Sequence, residues 1–199
     1  MRPKLLLATN NTGKVQEYRS LLQDIPFELV TPGEMGIEMD VDETGTTYQE
    51  NARLKACALA RTSGLLTLAD DSGLEVDALH GEPGVMSARY AGENASSTER
   101  TNYLLAKLKD VPREKRTARF YCVIAIARPD GNVDFCDGEC KGMITLEPGG
   151  DSGFGYDPIF YVTELGKTMA ELPSEVKNKI SHRGKAAQKA RLILKKMAK

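Results

Sequence analysis

Residues 65–74 read Leu-Leu-Thr-Leu-Ala-Asp-Asp-Ser-Gly-Leu, a short apolar run that stops at two adjacent carboxylates. Because the run is short and follows Ser63-Gly64, it predicts a buried strand rather than a helix. Asp70 and Asp71 are then expected at the carboxyl end of this strand, which borders the ligand crevice in open α/β sheets. Two adjacent anions repel unless a cation, a proton or solvent compensates their charge, so we expect the functional site at this pair of carboxylates. An exposed turn is the alternative, since Asp, Ser and Gly all favour turns.

The composition is that of one ordinary globular domain. The chain has 199 residues, a net charge of −1 and 28% charged residues, so we expect a single domain spanning residues 1–199. This balance lacks the basic charge pattern expected of a domain that binds duplex nucleic acid. The apolar segment Leu5-Leu6-Leu7 is too short for a signal peptide or a membrane span. We therefore expect a cytoplasmic protein without a membrane or nucleic-acid partner.

The cysteines and histidines argue against a zinc site. The four cysteines lack the close paired spacing of structural zinc ligands, and only two histidines are present. We expect reduced cysteines that mostly serve packing. A metal would then have oxygen ligands, which favours magnesium or manganese.

The first segment predicts a strand, a turn and a helix. A strand is expected from Lys4 to Thr9, a polar turn over residues 10–14, and a helix in which Val15 and Tyr18 have helical spacing. Such a turn presents backbone N–H groups and a positive helix end to an anion, so it is a candidate phosphate site. Alternatively, Thr12 caps the helix and Lys14 is solvated.

An acidic loop, Asp40–Gly45, precedes the next predicted helix. Thr47 and Glu50 have the spacing of a capping box, which predicts a helix over residues 48–62 that leads back to the Asp70-Asp71 strand. Asp42 and Glu43 are then either partners of the helix dipole or magnesium ligands facing Asp71.

The middle of the chain predicts a helix and a hairpin. Ser96 and Glu99 form a second capping-box pattern. Apolar residues alternate over 118–126, a turn is expected at 129–132, and strand character returns from Val133. This hairpin predicts a mixed rather than a purely parallel sheet.

Residues 149–160 combine glycines with aromatic residues. Glycines on both sides of Phe154 leave its ring faces open to a planar ligand, with Asp157 as a nearby acceptor. The alternative is a tight turn with Phe154 packed inward. The chain is expected to be helical from Ser174 onward, with an interruption at 181–184 where a donor-rich cluster lies. Its members are Lys177, His182 and Arg183, for which a surface charge cluster is the alternative.

Together these stretches resemble the inosine-triphosphate pyrophosphatase family, whose members hydrolyse non-standard purine nucleoside triphosphates. The resemblance covers almost the whole chain. The motifs that carry it are Thr9-Asn10-Asn11-Thr12-Gly13-Lys14, Ala69-Asp70-Asp71-Ser72-Gly73-Leu74, Pro83-Gly84-Val85-Met86-Ser87-Ala88-Arg89, Gly153-Phe154-Gly155-Tyr156-Asp157-Pro158 and Ser181-His182-Arg183.

The resemblance implies an α/β fold with a long central mixed sheet, flanking helices and two lobes around a nucleotide cleft. It also implies a homodimer and Mg²⁺-dependent conversion of ITP, dITP or XTP to the monophosphate and pyrophosphate, with Mn²⁺ as a substitute metal. Asp71 would be the general base, and Asp42 and Asp71 the metal ligands. Many members have Glu where this chain has Asp42, so Glu43 is a rival ligand. The implied substrate-binding residues are Thr9, Asn10, Asn11, Thr12, Gly13, Lys14 and Ser72 for the phosphates, and Phe154, Gly155, Tyr156, Asp157, Lys177, His182 and Arg183 for the base.

The residue types suit this chemistry. Attack of water on a phosphoryl group depends mainly on positioning and on neutralisation of charge. Donors facing a 6-oxo group disfavour the N6 amine of adenine, so ATP is expected to be a poor substrate. Two rival functions are a pyrophosphatase for pyrimidine or modified nucleotides and a non-catalytic nucleotide- or RNA-binding module.

Overall fold

The computed structural model describes residues 2–38 and 41–197. Asp40, at the start of the predicted acidic loop, lies outside these residues. The strands are β1 (Lys4–Leu7), β2 (Glu28–Val30), β3 (Leu66–Val76), β4 (Thr117–Ala127), β5 (Val133–Ile144), β6 (Phe160–Val162) and β7 (Lys167–Thr168). The helices are α1 (Thr12–Leu21), α2 (Tyr48–Ser63), α3 (Ser97–Lys107), α4 (Ser174–Ile180) and α5 (His182–Met197).

The strands form a mixed sheet in the order β2-β1-β3-β4-β5-β6-β7. β1 pairs in parallel with β2 and β3, whereas β5-β6 and β6-β7 are antiparallel. The expected α/β fold with a mixed sheet is therefore confirmed. Within the described residues, no helix has the length and apolar character needed to cross a membrane.

The described residues divide into two compact units. Unit 1 contains those up to Asp71, residues 122–138 and those from Arg183 onward; unit 2 contains residues 72–121 and 139–182. Each unit has its own apolar core, so burial of apolar surface stabilises each one. The unit 1 core includes Leu5, Leu7, Leu22, Leu68, Ile124, Ile126 and Leu194. The unit 2 core includes Leu74, Val76, Leu104, Phe120, Ile144, Ile159 and Phe160.

Strand β3 differs from the prediction. It continues to Val76, so Asp70 and Asp71 lie in the middle of a strand rather than at its carboxyl end or in an exposed turn. The parallel pairing with β1 does stop early, at Leu7 and Leu68, but β3 remains paired with β4. The acids therefore lie just beyond the carboxyl end of β1, and their side chains point to opposite faces because they are consecutive in a strand.

Two helix boundaries illustrate local sequence control. Thr47 and Glu50 form the predicted capping box at the start of α2, which ends at Gly64 with φ of +67°, a conformation that glycine adopts without strain. The interruption expected at residues 181–184 is narrower: only the extended Ser181 separates α4 from α5.

Candidate active site

Asp70 is a buried carboxylate held by two cations. Asp70 is only 2% exposed. Lys14 Nζ lies 3.1 Å from its Oδ1, and the Arg183 guanidinium lies 3.4 Å from its Oδ2. Burial alone would raise the pKa of Asp70, but Lys14 and Arg183 outweigh it and hold that pKa well below its usual value. Asp70 is therefore ionised across the physiological pH range and serves as an anchor for the two cations.

Asp71 has a different environment. It is 6% exposed; the side-chain amide of Asn51 donates to Oδ2 at 3.1 Å, and Lys55 Nζ lies 4.0 Å from Oδ1. Burial raises the pKa of Asp71 despite the opposing effect of Lys55. A carboxylate with a raised pKa is a better proton acceptor than an ordinary aspartate, which suits a general base.

Lys55 connects the acidic loop to this carboxylate. Its ammonium donates to Glu43 Oε1 and to the backbone oxygen of Asp70, both at 2.8 Å. Burial lowers the pKa of Lys55, but the negative charges of Asp71, Asp70 and Glu43 raise it by more. The pKa therefore lies above its usual value, and the side chain is charged. Glu43 is thus half-buried and paired, whereas Asp42 is exposed.

The predicted phosphate turn begins helix α1, and its cap differs from the one considered. Asn11, rather than Thr12, is the N-cap: its side chain accepts from the Lys14 N–H at 3.0 Å, and its own N–H donates to Thr9 Oγ1 at 3.1 Å. The Lys14 side chain is not solvated, because it is paired with Asp70 and only 15% exposed. Residues 9–14 therefore place a positive helix end and a lysine at the end of β1.

The three residues of the predicted donor-rich cluster belong to both units. Lys177 and His182 belong to unit 2, whereas Arg183 belongs to unit 1. There the Arg183 guanidinium also donates to Glu17 Oε2 at 2.7 Å. Arg183 is thus fixed between two carboxylates, Glu17 and Asp70.

In unit 2, Asp157 organises the glycine–aromatic loop, residues 153–157. Its Oδ2 accepts from the Phe154 N–H at 2.8 Å and from Lys177 Nζ at 2.6 Å. The Lys177 ammonium also lies 5.0 Å from the centre of the Phe154 ring, a cation–π distance. Gly153 has φ of +80°, and a Cβ there would lie 2.2 Å from Asp157 Oδ2. The loop can therefore close on Asp157 only with glycine at this position.

The other predicted residues of unit 2 have defined positions. The Tyr156 hydroxyl donates to the backbone oxygen of Ser87 at 2.9 Å, which ties the loop to residues 84–89. His182 stacks on Phe120 with ring centres 4.7 Å apart and an interplanar angle of 16°. Ser72 follows the two acids on β3 and is half-buried.

The donor set fits a magnesium ion bound together with its substrate. Within the described ranges 2–38 and 41–197, no group of three or more His, Cys, Asp or Glu side chains is arranged to hold a metal. Mg²⁺ usually binds proteins through one or two carboxylates and takes its other ligands from water and substrate phosphates. Asp71 and the acidic loop supply such carboxylates.

All four cysteines are free thiols, as expected.

The comparison with protein families decides the relationship. The model of the Ham1 family matches residues 5–192. The chain belongs to the Ham1 family. Relatives in this family carry the name dITP/XTP pyrophosphatase, so the resemblance seen in the motifs is confirmed.

Individual Ham1 relatives match over nearly their full length. A dITP/XTP pyrophosphatase from Desulforamulus reducens is 53% identical over 194 residues, which cover 98% of this chain and 96% of that protein. The solved structure of a Ham1 protein from Coxiella burnetii has a TM-score of 0.89 and 42% identity, and the match covers 98% of this chain and 99% of that one. The Staphylococcus aureus Ham1 protein has a TM-score of 0.86 and 43% identity, with the same coverage.

Three residues that contact the candidate site were not predicted from the sequence: Glu17, Asn51 and Lys55. Asn51 and Lys55 are four residues apart on α2, so they lie on the same helix face, and this spacing was an available signal. Glu17 gave no comparable signal, because its partner Arg183 is 166 residues away in the chain.

Proposed function

We propose that this chain hydrolyses non-standard purine nucleoside triphosphates, namely ITP, dITP and XTP, to the nucleoside monophosphate and pyrophosphate. The observation that carries the proposal is the buried pair on β3. Asp70 holds two cations, while burial raises the pKa of the neighbouring Asp71. Charge neutralisation and a proton acceptor are the two requirements for attack of water on a phosphoryl group.

In this mechanism Lys14 and the N-terminal end of α1 hold the triphosphate. Thr9, Asn10, Asn11, Thr12 and Gly13 supply backbone and side-chain donors, and Ser72 adds a hydroxyl group. The Lys14 ammonium neutralises phosphate charge that would otherwise repel the attacking water. Asp71 accepts the proton of that water, which attacks the α-phosphorus.

We propose that Asp42 and Asp71 hold Mg²⁺, or Mn²⁺ as a substitute. The ion would polarise the phosphoryl oxygens and offset their negative charge. Glu43 is the rival ligand, but it already accepts from Lys55 at 2.8 Å. The Asp42 carboxylate is exposed, so in this proposal Glu43 serves as the partner of Lys55 and Asp42 as the metal ligand.

Substitution of the two acids separates these roles. Asp42→Asn is expected to raise the Mg²⁺ concentration needed for half-maximal rate by about tenfold or more, because removal of a group that holds a metal typically weakens metal binding by this factor. Glu43→Gln is expected to lower the rate at saturating Mg²⁺ without that shift. The reverse pattern would make Glu43 the ligand.

The base is recognised by unit 2. A planar base stacks on the face of Phe154 within the loop of Gly155, Tyr156 and Asp157. Lys177 and His182 donate to the 6-oxo group. An ammonium has three N–H groups, so the Asp157 contact does not by itself exhaust Lys177. Arg183 is also proposed to contribute to base recognition, and its contacts with Asp70 and Glu17 hold the guanidinium in place.

The test is hydrolysis of dITP with Mg²⁺, followed by separation of the products by anion exchange. Equimolar dIMP and pyrophosphate are expected, and ¹⁸O from labelled water should enter only the monophosphate. Label confined to pyrophosphate would refute attack at the α-phosphorus. Binding of dITP without turnover would mark a nucleotide-binding module.

A substrate panel tests the base specificity. ITP, dITP and XTP are expected to exceed ATP in kcat/KM by up to about 10⁴-fold, because the N6 amine leaves the buried donors unpaired. GTP also has a 6-oxo group, so this argument does not exclude it. Equal efficiency with ATP and ITP would refute the donor argument, and a preference for pyrimidine nucleotides would favour the rival pyrophosphatase.

We further propose that the protein is a cytoplasmic homodimer, as the resemblance implies. Light scattering coupled to size exclusion should give twice the 21.8 kDa chain mass. A mass of one chain at micromolar concentration would refute the dimer.

A further inference from the structure

The side-chain amide of Asn51 donates one hydrogen bond and accepts another. It lies in the first turns of α2 and is 1% exposed. Its Nδ2 donates to Asp71 Oδ2 at 3.1 Å, and its Oδ1 accepts from the Gly45 N–H at 2.8 Å. One amide therefore connects the acidic loop with the carboxylate proposed as the general base.

The two partners allow only one orientation of the amide. The Gly45 N–H can only donate, and an ionised Asp71 carboxylate can only accept. A rotation of the amide by 180° would oppose donor to donor and acceptor to acceptor. The contacts thus fix the rotamer of Asn51, and with it the orientation of the Asp71 carboxylate.

The loop is also tightly packed against Asn51. A Cβ at Gly45 would lie 2.6 Å from Asn51 Oδ1 and 2.6 Å from Glu50 Cβ. Any other residue at position 45 would therefore push the loop away from the helix. This close approach places the hydrogen bond from Gly45 only two residues after Glu43, the partner of Lys55.

We propose that Asn51 is a positioning residue that holds Asp71 and the acidic loop in register with each other. This inference rests on the proposed function, because it assumes that Asp71 accepts the proton of the attacking water. A misplaced base loses rate in the reacting state, whereas substrate affinity comes mainly from other groups. The signature of Asn51 loss is thus a fall in kcat with little change in KM.

Two variants separate the two hydrogen bonds. Asn51→Asp keeps an acceptor for Gly45 but replaces the donor to Asp71 with an oxygen. Asn51→Leu removes both hydrogen bonds at similar volume. Gln49→Glu is the matched control, because it makes the same amide-to-carboxylate change on an exposed position of the same helix.

The expected results differ for rate and for backbone protection. Both Asn51 variants should lose about 10²-fold in kcat for dITP with KM within about threefold, a typical cost of misplacing a reacting group. Hydrogen exchange at the Gly45 amide should stay slow in Asn51→Asp and become fast in Asn51→Leu. Gln49→Glu should match the wild type in both measurements.

The outcomes distinguish this inference from the proposed function. If the wild type hydrolyses dITP and both Asn51 variants keep kcat within about threefold, the positioning role is refuted. A second outcome would also refute the positioning role: KM rises and the melting temperature falls together, and Gly45 exchanges equally fast in both variants. Asn51 would then have only a structural role. If the wild type does not hydrolyse dITP, the proposed function fails, while Gly45 exchange still tests the contact itself.

Discussion

The cluster around Asp70 and Asp71 in unit 1 and the glycine–aromatic loop in unit 2 are assembled in different ways. The first gathers ionic side chains from α1, α2, β3 and α5 around two buried acids. The second is a short segment that closes on its own Asp157, which also pairs with the distant Lys177. One is held by charge pairing across the chain, and the other mostly by local backbone geometry.

This difference indicates a division of labour. Buried charges of both signs are suited to neutralising phosphate and moving a proton, whereas an aromatic ring flanked by glycines is suited to holding a planar group. Substitutions in the first cluster should therefore change the rate, and substitutions in the second should change affinity and base preference. Three experiments test this difference, and a fourth compares one helix cap in each unit.

The largest effect is expected for Asp71→Asn. The amide cannot accept the proton of water, so kcat for dITP should fall about 10³-fold or more, at the level typical of a lost general base. The ranking of ITP over ATP in binding should be retained, because unit 2 is unchanged. Initial rates of pyrophosphate release and equilibrium binding of both nucleotides measure the two quantities. Turnover at the wild-type rate in a folded variant would remove the basis of the mechanism.

Lys177→Met should instead affect stability and recognition. It leaves the buried Asp157 carboxylate without its cation, and breaking one partner of a buried pair costs about 3 kcal/mol or more in free energy of unfolding. KM for dITP should rise more than kcat falls. Urea unfolding and steady-state kinetics measure both. The control is the double variant Asp157→Asn/Lys177→Met, which removes both charges and should recover part of the lost stability.

Lys14→Met tests charge neutralisation. About 10²-fold should be lost in kcat/KM, the usual cost of removing one donor from a developing charge. Asp70 keeps Arg183, so the fold should persist. The loss should change little with ionic strength, because Lys14 is only 15% exposed and salt screens a largely buried charge weakly. A loss confined to base preference would contradict the comparison.

The smallest effect concerns the capping boxes that begin α2 and α3. Hydrogen bonds from Thr46 lower the pKa of Glu50, and those from Ser96 lower the pKa of Glu99. A carboxylate whose pKa is lowered by folding stabilises the protein above its unfolded pKa, about 4.3 for Glu, and this contribution is lost as the pH falls through the folded value. Glu50→Gln and Glu99→Gln should lower the melting temperature slightly at pH 7, and the difference from wild type should shrink as the pH falls through the lowered pKa of each carboxylate.

The elements that could be predicted are those decided by neighbours in sequence. Both capping boxes and the hairpin between β4 and β5 follow from short-range patterns, and the structure contains all three. The length of β3 could not be predicted in this way, because pairing with β4 overrides the turn preference of Asp-Asp-Ser-Gly.

The site was predicted unevenly for the same reason. The motifs located Asp70, Asp71, Lys14 and Asp157, since each lies in a distinctive local pattern. Partners that come from distant segments, such as Glu17 for Arg183, depend on tertiary packing alone. The sequence therefore identified the acids and the cations that pair with Asp70, but not Lys55 and Asn51, the groups that oppose the raised pKa of Asp71.

The central position of the twin aspartates on β3 also restricts how the chain can change in length. Successive residues of a strand alternate between faces. If one residue were inserted ahead of Asp70, the Asp70 side chain would therefore move to the face of Asn51 and Lys55. Asp71 would move to the side of Lys14 and Arg183, but two residues further along. A carboxylate would thus persist opposite the amide, while the cations would lose their anchor, and insertions should be tolerated only outside this strand.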